Sequence, residues 1–101
     1  MNISILTEIE VTQEDIDQGT PGDPRCCPIA KALRRQTNGE DWRVSAIFAR
    51  RWVGEECFDI IMRLPPIASQ FIFRYDNSIF SNFTPFKFRP ETVEEIGNIF
   101  G

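Results

Sequence analysis

The sequence predicts a single α+β domain: a small antiparallel sheet with two helices on one face, in the strand-helix-strand-strand-helix-strand order of a split βαβ, ferredoxin-like sandwich. Three observations carry this. Residues 3 to 11, ISILTEIEV, alternate apolar and polar positions as a half-buried strand does. "CPIAKAL" and "PPIASQFIFRYD" repeat apolar residues at helical spacing behind prolines. The runs WRVSAIFARRWV and CFDIIMRL flank a "GEE" tip, which reads as a hairpin. Another α+β arrangement is the alternative.

In the first strand Ile3, Ile5, Ile9 and Val11 share a face. Thr12 follows as an N-cap with Asp15 three residues on and Gly19 as a stop, giving one or two turns of helix. Gly19 to Cys27 is a loop. Pro28 suits the first position of the next helix, where its missing N–H costs nothing; Ile29, Ala30, Leu33 and Thr37 share its apolar face, and Asn38-Gly39 ends it. In the second arm of the hairpin Phe58, Ile60, Met62 and Leu64 form the inner face, with Cys57, Asp59, Ile61 and Arg63 on the other. Pro65-Pro66 ends that strand and opens a helix in which Ala68, Phe71, Ile72 and Tyr75 recur. Residues 86 to 88 read as an edge strand, since Pro85 cannot lie in a central one. Pro90 and Glu91 mark a last helix, with Val93, Ile96 and Phe100 as a narrow apolar stripe. The domain therefore spans residues 1–101, with a core over 1–89 and a helical extension over 90–101.

The chain of 101 residues is long enough to bury a core without staples, and its nine Phe and two Trp are core residues first. A formal charge of −4 argues against a nucleic-acid polymer as partner, because phosphate binding needs a basic surface. Charge is uneven: Arg25, Lys31, Arg34, Arg35, Arg43, Arg50, Arg51 and Arg63 lie mid-chain while Glu8, Glu10, Glu14, Asp15 and Asp17 crowd the start, so a local anion site remains open. No apolar stretch approaches the roughly 20 residues of a membrane span, and MNISILTEIE lacks the features of a signal peptide. The expected location is the cytoplasm of a host cell, with reduced thiols at Cys26, Cys27 and Cys57.

With no histidine, the commonest general base and the usual zinc nitrogen ligand are missing, and three cysteines at these spacings match no thiolate zinc site. No catalytic residue, metal or cofactor is expected. Cys27, at a helix start beside Arg25, has two readings: a thiolate favoured by the helix dipole, or a small apolar residue buried where loop meets helix. The loop "GTPGDPR" could cradle an anion with exposed amides, although it matches no phosphate-binding motif and glycine there also serves simply to turn. "ARRWV" places Arg50 and Arg51 on opposite faces of a strand beside Trp52, residue types enriched at interface hot spots.

The combination "VTQEDIDQG…GD…CPIAKAL" at residues 11 to 33, "LPPIASQFIFRYD" at 64 to 76 and "PFKF" at 85 to 88 resembles a family of small uncharacterised proteins of bacteria and their phages. The resemblance places Cys27, Gly22 and Asp23 at matching positions and carries no activity with it. This chain departs by a second cysteine, Cys26, and by the added segment ETVEEIGNIF. The leading expectation is a non-enzymatic phage or prophage-type binding protein that occupies a host protein or a second copy of itself, by analogy an inhibitor of host defence of the anti-CRISPR kind. Its candidate surfaces are Arg50, Arg51 and Trp52; the stripe Val93, Ile96, Ile99 and Phe100; and the aromatic loop Phe80, Phe83 and Phe86. The alternative is a module that sequesters a small anionic ligand, a signalling nucleotide, at Gly22, Asp23, Arg25 and Cys27. A thiol enzyme using Cys27 is the third reading.

Overall fold

A computed structural model describes residues 7–77 and 82–95. The chain is α+β: β1 (Ile9–Val11), α1 (Gln13–Gln18), α2 (Pro28–Gln36), β2 (Asp41–Val44), β3 (Phe48–Trp52), β4 (Phe58–Arg63), α3 (Pro66–Asp76), β5 (Phe86–Phe88) and β6 (Thr92–Glu95). Both sheets are antiparallel, a pair β1-β5 and a four-stranded sheet in the order β2-β3-β4-β6. Among the described residues no helix is long and apolar enough to cross a membrane.

The expected class is correct and the ferredoxin-like strand order is not. In that order the first strand would join the main sheet, whereas β1 pairs with β5, Ile9 opposite Phe88 and Val11 opposite Phe86. The hairpin is also a three-stranded meander, because its first arm turns at Ser45: the Ser45 amide donates to the Phe48 carbonyl at 2.8 Å and Val44 lies opposite Ala49. The expected C-terminal helix is corrected as well. Residues 92–95 form β6, with Val93 opposite Met62, so Val93 packs against the core instead of opening a helical stripe. Thr92 and Val93 are β-branched, and the edge of β4 offers them a ladder. Ile96, Ile99 and Phe100 lie outside the described residues, as do Phe80 and residues 1–6 of the expected first strand.

The inner face of the large sheet carries Trp42, Val44, Ala49, Ile60 and Met62, all buried, with Val93 half-buried beside them. Helix α2 packs against both β1 and β2 and so joins the two sheets. Its apolar face, Ile29, Ala30, Ala32 and Leu33, is fully buried. Thr37 closes it by donating to the Leu33 carbonyl and accepting the Trp42 indole N–H at 2.9 Å. Asn38 and Gly39 follow at φ 60° and 83°, and the Gly39 amide returns to the Arg34 carbonyl. Burying the indole is therefore not at the expense of its donor.

The capping box on α1 forms as the spacing predicts: the Asp15 amide donates to Thr12 Oγ1 and the Thr12 amide to Asp15 Oδ2. Gly19 is required for a different reason than turning. A Cβ there would stand 2.8 Å from both Pro28 Cδ and the Tyr75 hydroxyl, so the loop passes between the start of α2 and the end of α3 only without a side chain. Tyr75 Oη donates to the Ile16 carbonyl at 2.9 Å, tying α3 to α1.

Two substitutions check this corner. Tyr75→Phe is expected to cost about 1 kcal/mol, the net value of one hydrogen bond. Gly19→Ala is expected to cost about 1–3 kcal/mol through overpacking. Both are read as a lower urea midpoint with an unchanged slope.

Candidate functional site

The strongest local departure from simple sheet chemistry lies on the outward face of the four-stranded sheet. Register places Arg43 directly opposite Arg50, with Ile61 and then Glu94 continuing the row across β4 and β6. Like charges directly opposite on neighbouring strands destabilise a sheet. Here each guanidinium lies over a ring: Arg43 sits 4.3 Å from the centre of Trp52, and Arg50 lies 5.3 Å from both Phe48 and Phe58. Such contacts contribute about 0.5–1 kcal/mol each at exposed sites. At the margins Arg63 lies 5.8 Å from Phe48 and 3.2 Å from the Glu91 carboxylate, and Arg43 lies 3.3 Å from Asp41. Among the described residues, Arg50 has no carboxylate partner, and Arg43 Nε and Trp52 Nε1 are buried donors without an acceptor.

Two of the expected residues, Arg50 and Trp52, belong to this face; Arg51 does not. Arg51 is 9% exposed on the inner side, where its guanidinium donates to both oxygens of Asp59 and to Glu40 Oε2. Nor is β3 an edge, since β2 and β4 flank it. A β-bulge makes the arrangement possible. Arg51 lies opposite Ile60 and Trp52 opposite Phe58, so Asp59 is the extra residue on β4. The bulge overturns the strict alternation expected for β4: Asp59 meets Arg51 on the inner side, and Phe58 packs against Trp52 with ring centres 5.4 Å apart. Hydrogen bonds from Arg51 hold the Asp59 carboxyl below the usual range, against the opposing effect of desolvation.

Arg43, Phe48, Phe58 and Arg63 were not legible as site residues, because reading residues 42–53 as one strand separates Arg43 from Arg50. The signal that could have found them is Ser45-Ala46, a break in the apolar run between two segments that each alternate.

The aromatic loop also has a different role from that expected. Phe83 and Phe86 close against Phe71 at 5.4 and 4.8 Å, and Phe83 meets Tyr75 at 5.3 Å, so they cover the core.

The loop before α2, expected as a possible anion cradle, spends its amides internally. The Gly22 amide, at φ 76°, donates to Asp76 Oδ1, Arg25 to Asp23 Oδ1, and Cys26 and Cys27 to the Asp23 carbonyl. Cys27 is the N-cap of α2: its sulfur accepts from the Ala30 amide, the side chain is buried, and burial pushes the thiol up to about 11. That is opposite to a nucleophile's requirement. Gly22, Asp23, Arg25 and Cys27 thus build a corner, with the Arg25 carbonyl held by Arg34 at 2.6 Å. Cys26 and Cys57 are free and half-buried.

The raised thiol fixes a sign. The buried Cys27 stays neutral while the unfolded one ionises, so its stabilisation is complete below about pH 9 and is lost between about 9 and 11. Unfolding midpoints are expected to fall across that window, with a shallower fall in Cys27→Ala. Iodoacetamide at pH 8 is expected to modify Cys26 and Cys57 well before Cys27, as read by peptide mass.

Comparison with protein-family models, curated proteins and solved structures finds no match for the chain.

Proposed function

We propose that the protein is a non-enzymatic binding protein that occupies a partner protein through the outward face of its four-stranded sheet, with Arg50 and Trp52 at the centre. The observation that carries this is the Arg43–Arg50 pair, two like charges set directly opposite each other with no carboxylate on Arg50 among the described residues. A sequence under selection for stability alone has no reason to keep it, and such local conflicts concentrate at functional sites. A partner carboxylate pairing with Arg50 would relieve the repulsion. Arginine and tryptophan are also the residue types that dominate interface energetics. Action by occupying a host protein in the cytoplasm, the inhibitor type expected by analogy with small acidic phage proteins, is the role proposed for this face.

The decisive variant is Arg50→Glu. It turns a cross-strand repulsion into an ion pair with Arg43 but gives up the contacts of Arg50 with Phe48 and Phe58, so stability is expected to stay within about 1 kcal/mol of the wild type. The partner identified by mass spectrometry on the tagged wild-type protein from host lysate is expected to be lost from Arg50→Glu and from Trp52→Ala, and retained by Gln70→Ala on α3. Retention of that partner by a folded Arg50→Glu protein would falsify the reading.

A further inference from the structure

A second site lies away from the sheet, in the cleft between α1 and α2. It has a volume of about 680 Å³ and is lined by Gln13, Glu14, Asp15 and Gln18 on one side and by Lys31, Arg34 and Arg35 on the other. Pockets of roughly 300–1,000 Å³ are the size that takes small molecules. In a chain with a net charge of −4, three cations converge here on one wall.

Their partners sort them. Arg35 lies 2.9 Å from Asp15 and donates to the Glu10 carbonyl, so its charge is matched within the fold. Arg34 is held by a carbonyl, that of Arg25, and has no carboxylate partner among the described residues. Lys31 is half-buried and its ammonium has neither an ion-pair nor a hydrogen-bond partner among the described residues. A surface lysine without a partner is ordinary; a half-buried one lining a cleft beside a second uncompensated cation is a place prepared for an anion. The opposite wall narrows the choice. Gln13 and Gln18 spend amide N–H groups on Asp17, the Phe83 carbonyl and Glu14, and keep their amide oxygens, with the second Glu14 oxygen, as acceptors for hydroxyls; among the described residues no aromatic ring lines the cleft for a base to stack on.

From this we infer that the α1–α2 cleft binds the phosphate monoester of a small polyhydroxylated molecule, a sugar phosphate, with Lys31 and Arg34 on the phosphate and the α1 wall on the hydroxyls. It is not the nucleotide site expected at Gly22 to Cys27, whose amides are already used, and it stands apart from the arginine face of the sheet.

Glucose 6-phosphate serves as the ligand to be titrated, with glucose and inorganic phosphate at matched ionic strength as controls. Millimolar glucose 6-phosphate is expected to raise the melting temperature by about 4 °C or more, because it binds only the folded chain. In calorimetry Lys31→Gln is expected to weaken binding about tenfold or more, and Glu14→Gln, which removes the one uncompensated anion of the cleft, to strengthen it. Glu14 is exposed, and the half-buried Lys31 ammonium has no partner among the described residues, so neither substitution breaks an ion pair of the fold; the melting temperature of each ligand-free variant checks that it is folded. No stabilisation, stabilisation equal to that from inorganic phosphate, or binding unchanged in Lys31→Gln would each overturn the assignment. None of these results bears on the sheet face, since Arg50→Glu is expected to bind the sugar phosphate as the wild type does.

Discussion

Arg51 crosses the buried side of the large sheet to reach Asp59 and Glu40, and the layout of both faces follows from those bonds. A guanidinium at 9% exposure must be paired, since an uncompensated buried charge costs several kcal/mol. Side chains alternate along a strand, so holding Arg51 inward commits Arg50 to the outward side. The bulge that brings Asp59 to Arg51 also moves Phe58 beneath Arg50 and beside Trp52. One extra residue on β4 thus builds the internal ion pairs and the external ring platform together, and a one-residue slip would lose both.

The adjacent cysteines have a mechanical explanation. The chain leaves α1, passes Pro28 and Tyr75 at Gly19, and must enter α2 with little room. Cys27 caps the helix with a weakly polar sulfur that tolerates full burial, where a serine or aspartate would need a stronger partner. The carbonyl and side chain of Asp23 take the amides of Arg25, Cys26 and Cys27, and Asp76 of α3 takes that of Gly22. What reads in the sequence as a reactive or ligand-binding loop is a joint between a short helix and a long one.

The elements legible from sequence are those fixed by local chemistry: the Thr12–Asp15 capping box, Pro28 at the start of α2, Pro66 at the start of α3, and the edge strand after Pro85. The elements that were not legible depend on partners far along the chain. Nothing near Ile9 says that its neighbour is Phe88 and not a strand of the hairpin. Residues 92–95 carry a helix-start signal at Pro90, and the free edge of β4 overrides it. The candidate site shares this limit: Arg50 and Trp52 stand out as residue types, whereas their meaning lies in Arg43 and Phe58, which only the turn at Ser45 and the bulge bring to them.

The Tyr75–Ile16 and Asp76–Gly22 bonds join positions 59 and 54 residues apart. By contrast, helix α2 and strands β2 to β4 are one contiguous run of chain, with each strand meeting the next in sequence. Loop-closure entropy rises with separation, so the N-terminal layer is the part whose docking is entropically most costly. Sub-global opening can therefore release β1 and α1 while the meander keeps its ladder. In that event the α1–α2 cleft is dismantled and the arginine row stays whole, so an opening of the N-terminal layer would separate the fates of the two surfaces.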